Sequence, residues 1–144
     1  MFNFFVYCGE WLLTHQAMSA VEKFTLEFHL ETTPRLLYTL ISTPEGLTRW
    51  FAHTILSGEN VYVFNWEGTE QAARLVQAKD NEYVVFQWLD DYHKDFFLEM
   101  RIETDPSSNG VTLVISDCAE TPDLDISKRL WQAQVGQLQR LFNS

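Results

Sequence analysis

The sequence has few cysteines, few basic residues and no long apolar run. Its two cysteines, Cys8 and Cys118, lie far apart and match no metal-binding or redox spacing, so we expect free thiols and a reducing, cytoplasmic location. The lack of a run of about 18 apolar residues predicts that no segment spans a membrane. Ten Lys and Arg residues against 20 Asp and Glu residues give a net charge of −10, which argues against nucleic acid or an anionic membrane surface as a partner.

The common catalytic and cofactor-binding motifs are also missing. The six glycines are scattered and fit turns, and neither a Gly-x-Ser-x-Gly elbow nor a His-Glu-x-x-His pair occurs. Charged residues cluster at Asp90, Asp91, His93 and Asp95, which we interpret as a solvated hairpin tip, because consecutive turn residues rarely all face one ion. Four more carboxylates are interpreted as a polar loop and helix-start charges: Asp117, Glu120, Asp123 and Asp125. The sequence therefore predicts neither a metal site nor a bound cofactor.

Aromatic residues, by contrast, are abundant. Hydrophobic residues make up 46% and aromatic residues 15% of the 144-residue chain, which contains 11 Phe, five Trp and five Tyr. A chain of this length forms one domain with a sizeable core. The aromatic excess suits an apolar cavity or an association surface, although a bulky core is the simpler interpretation.

Residues 1–20 form a separate, very apolar N-terminal extension. They lack the basic start and the small-residue cleavage site of a secretory signal, and Gly9-Glu10 interrupts their apolar run. Met18 closely precedes the first clear strand. We therefore expect that the natural protein begins at Met18 and that residues 21–144 are the folded domain.

The predicted elements are one strand, two short helices, six more strands and a long helix. Residues 22–31 alternate between apolar and polar side chains, as a half-buried strand does, with His29 on the exposed polar face. Thr33-Pro34 and Thr43-Pro44 each begin a short helix, since threonine caps the first turn and proline fits its first position. Short polar turns indicate an antiparallel meander of strands near residues 54–57, 60–66, 69–78, 82–89, 94–104 and 111–118.

Residues 123–142 predict a long amphipathic helix, with Thr121-Pro122 as its start signal. At about 100° per residue, its apolar side chains share one face: Leu124, Trp131, Val135, Leu138 and Phe142. Ser127 and Gln134 fall within that apolar face. They either contact backbone or ordered water, or they orient the polar end of a ligand.

Three segments resemble the START-like superfamily, which is also called the Bet v 1-like or polyketide-cyclase-like superfamily. They are residues 43–52 (TPEGLTRWFA), 83–88 (YVVFQW) and 110–115 (GVTLVI), and the resemblance extends from Val21 to Phe142 in order and spacing. The nearest branch is the domain related to the activator of Hsp90 ATPase. Two features depart from the family pattern: His53 stands where proline is frequent, and only Gly58 remains of a glycine-rich turn.

The resemblance implies an α+β helix-grip fold, in which a curved antiparallel sheet of about seven strands wraps around the long C-terminal helix. It also implies a hydrophobic cavity between sheet and helix. The residues alone leave open whether that space is empty or filled by aromatic rings. We predict that the ligand-binding residues are Trp50, Phe64, Phe86, Trp88, Met100, Ser127, Trp131 and Gln134.

Three functions are compatible with this arrangement. The first is a non-catalytic binding module for an apolar or amphipathic, lipid-like small molecule. The second is a co-chaperone-like or homodimeric interaction domain whose exposed aromatic residues form an interface. The third, which the sequence supports least, is an enzyme of the cyclase or dehydratase type. Its acid–base candidates near the cavity mouth are Tyr38 and His53, and neither has an obvious partner carboxylate.

Overall fold

The computed structural model describes residues 20–90, 95–107 and 109–142. Residues 1–19 of the predicted N-terminal extension, Cys8 among them, lie outside the described residues. The same holds for Asp91 and His93 of the predicted hairpin tip. Cys118 is described and is a free thiol.

The described chain runs from an edge strand through two short helices into a strand meander and ends in a long helix. Its elements are β1 (Val21–Leu30), α1 (Pro34–Ser42), α2 (Pro44–Thr48), β2 (His53–Leu56), β3 (Val61–Trp66), β4 (Thr69–Lys79), β5 (Tyr83–Trp88), β6 (Phe97–Thr104), β7 (Val111–Glu120) and α3 (Leu124–Phe142). A single 3-10 turn, Thr121–Asp123, joins β7 to α3. Every predicted element is present, in the predicted order.

The strands form one antiparallel sheet in the order β1-β7-β6-β5-β4-β3-β2. The first and last strands pair along their whole length, from Val21 opposite Glu120 to Leu30 opposite Val111. This pairing leaves β1 and β2 as the two edges of the sheet. The curved sheet and the long C-terminal helix form the helix-grip fold, which confirms the predicted fold class.

Alternating burial along the strands confirms which face of the sheet is the core face. In β1, Phe24 and Leu30 are buried, whereas Lys23 and Glu27 are exposed on the opposite face. In β6, Phe97 is 46% exposed and lies on the same side of the strand as Glu99 and Arg101. The inner face of the sheet therefore carries the core, and the outer face is largely polar.

Threonine caps begin both short helices, as predicted. Thr33 Oγ1 accepts a hydrogen bond from the Leu36 N–H at 3.2 Å, and Thr43 Oγ1 accepts one from the Gly46 N–H at 3.0 Å. The two helices pack so closely that a Cβ on Gly46 would lie only 2.7 Å from the Cα of Leu40. Only glycine fits at this contact, which fixes α2 and the residues that follow it against α1.

The start of α3 differs from the prediction. The Thr121 hydroxyl does not cap the helix but donates a hydrogen bond to the carbonyl of Ala20 at 3.0 Å, and so ties the end of β7 to the start of β1. The turn at residues 121–123 is a 3-10 turn, and α3 begins at Leu124. The buried residues of α3 are Ser127, Trp131, Val135 and Leu138. Ser127 therefore lies on the core face, where the sequence predicted it.

Candidate functional site

Eight aromatic side chains form one continuous cluster in the part of the chain that the structure describes. Ring centroids of neighbouring members are 5.1–6.3 Å apart. The members are Trp50 and Phe51 before β2, Tyr62, Phe64 and Trp66 of β3, Phe86 and Trp88 of β5, and Trp131 of α3. We call this set the aromatic cluster. It occupies the space between the inner face of the sheet and α3.

Phe51 joins the strand residues of the aromatic cluster to the α3 residue Trp131. Its ring stacks on Trp131 with a centroid distance of 5.5 Å and an interplanar angle of 17°. It meets Phe64 and Trp66 edge-on, at 5.1 Å and 5.2 Å. Offset-stacked and edge-to-face pairs are the favourable aromatic geometries. Phe51 thus links the sheet to α3, although the sequence did not single it out as a site residue.

Hydrogen bonds to α1 orient the polar edges of Trp50 and Tyr62 in the aromatic cluster. Trp50 Nε1 donates to the Leu40 carbonyl of α1 at 2.8 Å, and the Tyr62 hydroxyl donates to the Ser42 carbonyl at 2.6 Å. Burial raises the pKa of Tyr62, with smaller contributions from Tyr38 and Glu45. The tyrosine therefore stays protonated and remains a donor.

Three of the four carboxylates near the junction of β7 and α3 are buried, which corrects the interpretation of Asp117 and Glu120 as a polar loop. Asp123 and Asp125 do lie in the 3-10 turn and in the first turn of α3, as predicted. Asp117, Glu120 and Asp123 are each at most 9% exposed. Asp117 accepts hydrogen bonds from Trp131 Nε1 and from the Cys118 N–H, both at 2.8 Å. The period-two pattern of β7 already places residue 117 on the inner face of the sheet, so the sequence contained this signal.

Gln134 bridges α3 to the residues before β2. Its side-chain Nε2 donates to the Phe51 carbonyl at 2.9 Å. This is the backbone contact that the sequence left open as one of two roles for the glutamine. The bond and the stacking of Trp131 on Phe51 lie one helical turn apart on α3, so both hold the helix to the same segment.

The predicted ligand-binding residues are buried or half-buried, and five of them belong to the aromatic cluster. Seven of them are at most 4% exposed: Trp50, Phe64, Phe86, Trp88, Met100, Ser127 and Trp131. Ring contacts join the five aromatic residues to the aromatic cluster. Met100 belongs to the hydrophobic core beside them. Their role in binding a ligand stays a prediction.

A groove of about 200 Å³ lies between the end of β1 and the last turns of α3. Its lining residues are His29, Leu30, Glu31, Gln139 and Phe142. None of the predicted ligand-binding residues lines it. The His29 ring packs against Gly110, where an added Cβ would lie 3.0 Å from His29 Cε1. We call this site the β1–α3 groove.

The acid–base candidates from the sequence do not meet at the β1–α3 groove. His53 is exposed on the edge strand β2, and Tyr38 is half-buried on α1, where burial and the charge of Asp80 raise its pKa. Among the residues that the structure describes, no three His, Cys, Asp or Glu side chains are grouped so as to hold a metal ion. Within the same residues, no helix combines the length and the apolar character needed to cross a bilayer.

The chain is similar in sequence to a known family and to a solved structure. Residues 18–144 match the START-like superfamily domain. A protein from Bacteroides fragilis, BfR322, is 32% identical, with a TM-score of 0.60 over 84% of this chain and 90% of that one. Among curated proteins, no sequence matches.

Two more distant structures are similar in fold. The Aha1 dimer from Colwellia psychrerythraea is 15% identical, with a TM-score of 0.74 over 84% of this chain and 96% of that one. DynU16, a protein of the dynemicin biosynthetic locus, is 12% identical, with a TM-score of 0.72 over 85% of this chain and 47% of that one. At these identities the likeness shows a shared fold and says nothing about a shared activity.

Proposed function

Since the chain belongs to the START-like superfamily, we propose that it is a non-catalytic binding module that holds an apolar or amphipathic, lipid-like small molecule between the sheet and α3. The observation that carries this proposal is the β1–α3 groove, because its described lining residues come from the end of the edge strand and from the last turns of the helix. The opening therefore lies at the seam between the two layers of the fold.

The size and lining of the β1–α3 groove suit one end of an amphipathic molecule. Its volume of about 200 Å³ is below the range of about 300–1,000 Å³ that holds a drug-sized ligand. Leu30 and Phe142 offer apolar surface, while His29, Glu31 and Gln139 offer polar groups. We propose that the groove binds the polar end of the ligand and the first part of its tail.

The aromatic cluster supports a site for the rest of the tail. Gln139 of the groove lies eight residues beyond Trp131, which corresponds to about 12 Å along the axis of α3. A tail of that length reaches the stacked pair of Trp131 and Phe51. Because these rings touch each other, a longer tail binds only if they separate. Affinity should therefore rise with tail length and then stop rising.

Calorimetric titration with uncharged alkyl maltosides from hexyl to dodecyl, each below its micelle concentration, tests the proposal. We expect saturable one-to-one binding that strengthens by up to about fourfold per buried methylene, from about 0.8 kcal/mol each, until the tail meets the aromatic cluster. Phe142→Ala should weaken binding. Leu36→Ala is the matched control, since Leu36 is exposed on α1 and does not line the groove. Absence of saturable binding for every tail length would refute the proposal.

A second candidate is a homodimeric, co-chaperone-like interaction domain, which the edge strand β2 favours. Ile55 and Leu56 of β2 are 51% and 55% exposed. Ile55 pairs with Val63, Val63 pairs with Ala72, and the Leu89 N–H bonds to the Ala72 carbonyl. These residues form an apolar row across four neighbouring chain segments, beside a strand edge that is open to further pairing. The similar Aha1 protein from Colwellia psychrerythraea is a dimer.

Sedimentation equilibrium over a range of protein concentrations tests the dimer. If β2 forms the interface, the wild-type protein dimerises, and Ile55→Lys makes it monomeric, because the substitution places a charge inside the contact. Val76→Lys is the matched control, since Val76 is 42% exposed on β4 and lies outside the apolar row. A wild-type monomer at every concentration would exclude this candidate.

A further inference from the structure

We infer that the β1–α3 groove recognises an organic cation, so that the ligand of this protein is an amphiphile with an ammonium or guanidinium group at its polar end. The inference rests on the proposed function, because it names the chemical class of the molecule that the groove binds. It follows from three features of the lining: the end of a long helix, one carboxylate and one aromatic ring.

The C-terminal end of α3 contributes a partial negative charge to the groove, and Arg140 of the same turn does not line it. The last turn of a helix leaves about four carbonyl groups without partners inside the helix, and the helix dipole adds a partial negative charge at that end. Gln139 and Phe142, which line the groove, both belong to this last turn of the 19-residue helix. A cation in the groove is therefore stabilised, whereas a carboxylate or phosphate is repelled.

Glu31 adds a formal negative charge to the same lining, and none of the described Lys and Arg residues lines the groove. His29 is the other titratable group there. The pKa of Asp105, outside the groove, is lowered mainly by hydrogen bonds from Ser107 and to a smaller extent by the charge of His29. Glu31 is therefore the carboxylate of the groove lining that is available to the ligand.

Phe142 and Leu30 make an organic cation a better fit than an inorganic one. A cation over an aromatic face is attracted by the ring quadrupole, most usefully when it is a quaternary ammonium that carries its own apolar surface. A metal ion would need several oxygen or nitrogen ligands in a fixed geometry. Among the described residues, no such group of metal-binding side chains exists. The groove is also large enough, at about 200 Å³, for an alkylated head group.

The test compares three probes that share one tail: decyltrimethylammonium, decyl sulfate and decyl maltoside. Each is titrated below its micelle concentration into the wild-type protein, into Glu31→Gln and into Glu27→Gln, with circular dichroism confirming that the fold persists. Glu27 is the matched control, because it lies four residues before Glu31, is exposed on β1 and does not line the groove. The control separates recognition in the groove from general attraction to a chain of net charge −10.

We expect the ammonium probe to bind most tightly and the sulfate most weakly. Glu31→Gln should weaken ammonium binding by about two- to fivefold, the range for an exposed ion pair, and leave maltoside binding unchanged. Glu27→Gln should change neither. Phe142→Leu keeps the apolar contact but removes the ring, so it should weaken the ammonium probe more than the maltoside.

The outcomes separate this inference from the proposed function. If the three probes bind equally well, or if the sulfate binds best, the inferred preference for a cationic head group is wrong. The proposal of a binding module then still stands. If Glu31→Gln and Glu27→Gln weaken ammonium binding alike, the attraction comes from the overall charge and the inference fails. If none of the three probes binds, both proposals fail together.

Discussion

Gln134→Met separates a structural role of Gln134 from a ligand-binding role. The glutamine Nε2 donates to the Phe51 carbonyl at 2.9 Å, and Phe51 is a buried member of the aromatic cluster. Methionine has a similar volume and helix propensity but cannot donate a hydrogen bond. The substitution therefore leaves a buried carbonyl without its side-chain donor while the packing stays nearly the same.

The expected loss follows from the cost of an unpaired buried acceptor, which is about 1–3 kcal/mol. For a domain of this size, that loss lowers Tm by about 3–10 °C. Urea unfolding should show the midpoint falling with an unchanged m-value, because the surface exposed on unfolding stays the same. If Gln134 serves the ligand instead, stability holds and only the binding of the alkyl probes weakens.

Gln71→Met is the matched control, because it makes the same chemical change at a site with the opposite hydrogen-bond status. In the described part of the chain, the buried Oε1 of Gln71 has no hydrogen-bond partner. Removing an unsatisfied acceptor should be neutral or stabilising. A loss below about 0.5 kcal/mol for Gln134→Met, within the range of ordinary surface changes, would refute the structural role. Equal losses for the two variants would refute it as well.

Packing and burial predict three further results. Gly46→Ala should lower the free energy of unfolding by about 1–3 kcal/mol, because the added Cβ collides with α1. Gly136→Ala should raise it by about 0.5–1 kcal/mol, because the added Cβ meets no atom within 4 Å and alanine favours the helix. Urea unfolding measures both changes. Phe51→Ala should cost about 3–5 kcal/mol, while Phe97→Ala on the exposed face should stay within about 0.5 kcal/mol in the same assay. Burial raises the pKa of Tyr62 above the ordinary value of a tyrosine, as it does for Tyr38. Phenolate absorbance should therefore show a late-ionising component that becomes smaller by one tyrosine in Tyr62→Phe. The folded state holds the Tyr62 proton more tightly than the unfolded state does. The stability that the protonated Tyr62 contributes is therefore complete below the unfolded pKa and is lost as pH rises through the folded pKa.

Each of these results can be contradicted by a direct comparison. Equal stability changes for the two glycine variants would mean that Gly46 does not need its close contact with α1. A loss for Phe97→Ala as large as that for Phe51→Ala would mean that the exposed face of β6 is covered by another surface. A tyrosine titration that is the same in wild type and Tyr62→Phe would mean that the Tyr62 hydroxyl is solvated in the folded state.

The order of elements could be predicted because each element carries a local pattern. β1 and β6 show period-two alternation, and α3 shows a stripe with the helical period. The caps at Thr33 and Thr43 could be predicted for the same reason, since a cap depends on residues within one turn. The start of α3 was harder, because the Thr121 hydroxyl bonds to Ala20, which is distant in sequence.

The candidate site could be predicted only in part. The strand phases correctly assign Phe64, Phe86 and Trp88 to the inner face of the sheet. Phe51 was missed as a site residue, because it follows a short helix and belongs to no strand with a readable phase. The β1–α3 groove was missed as well, since its walls come from segments that are more than a hundred residues apart in the chain.

The sequence by itself determined the class of fold, the inward side of each strand and the apolar face of α3, since these depend on side-chain spacing along a few turns or pleats. Only the tertiary structure decided that Trp131 stacks on Phe51 and that Gln134 bonds to the Phe51 carbonyl. The curvature of the sheet and the position of α3 across it determine such contacts. No local pattern encodes that geometry, so the groove and the packing of the aromatic cluster emerge only when the whole chain has folded.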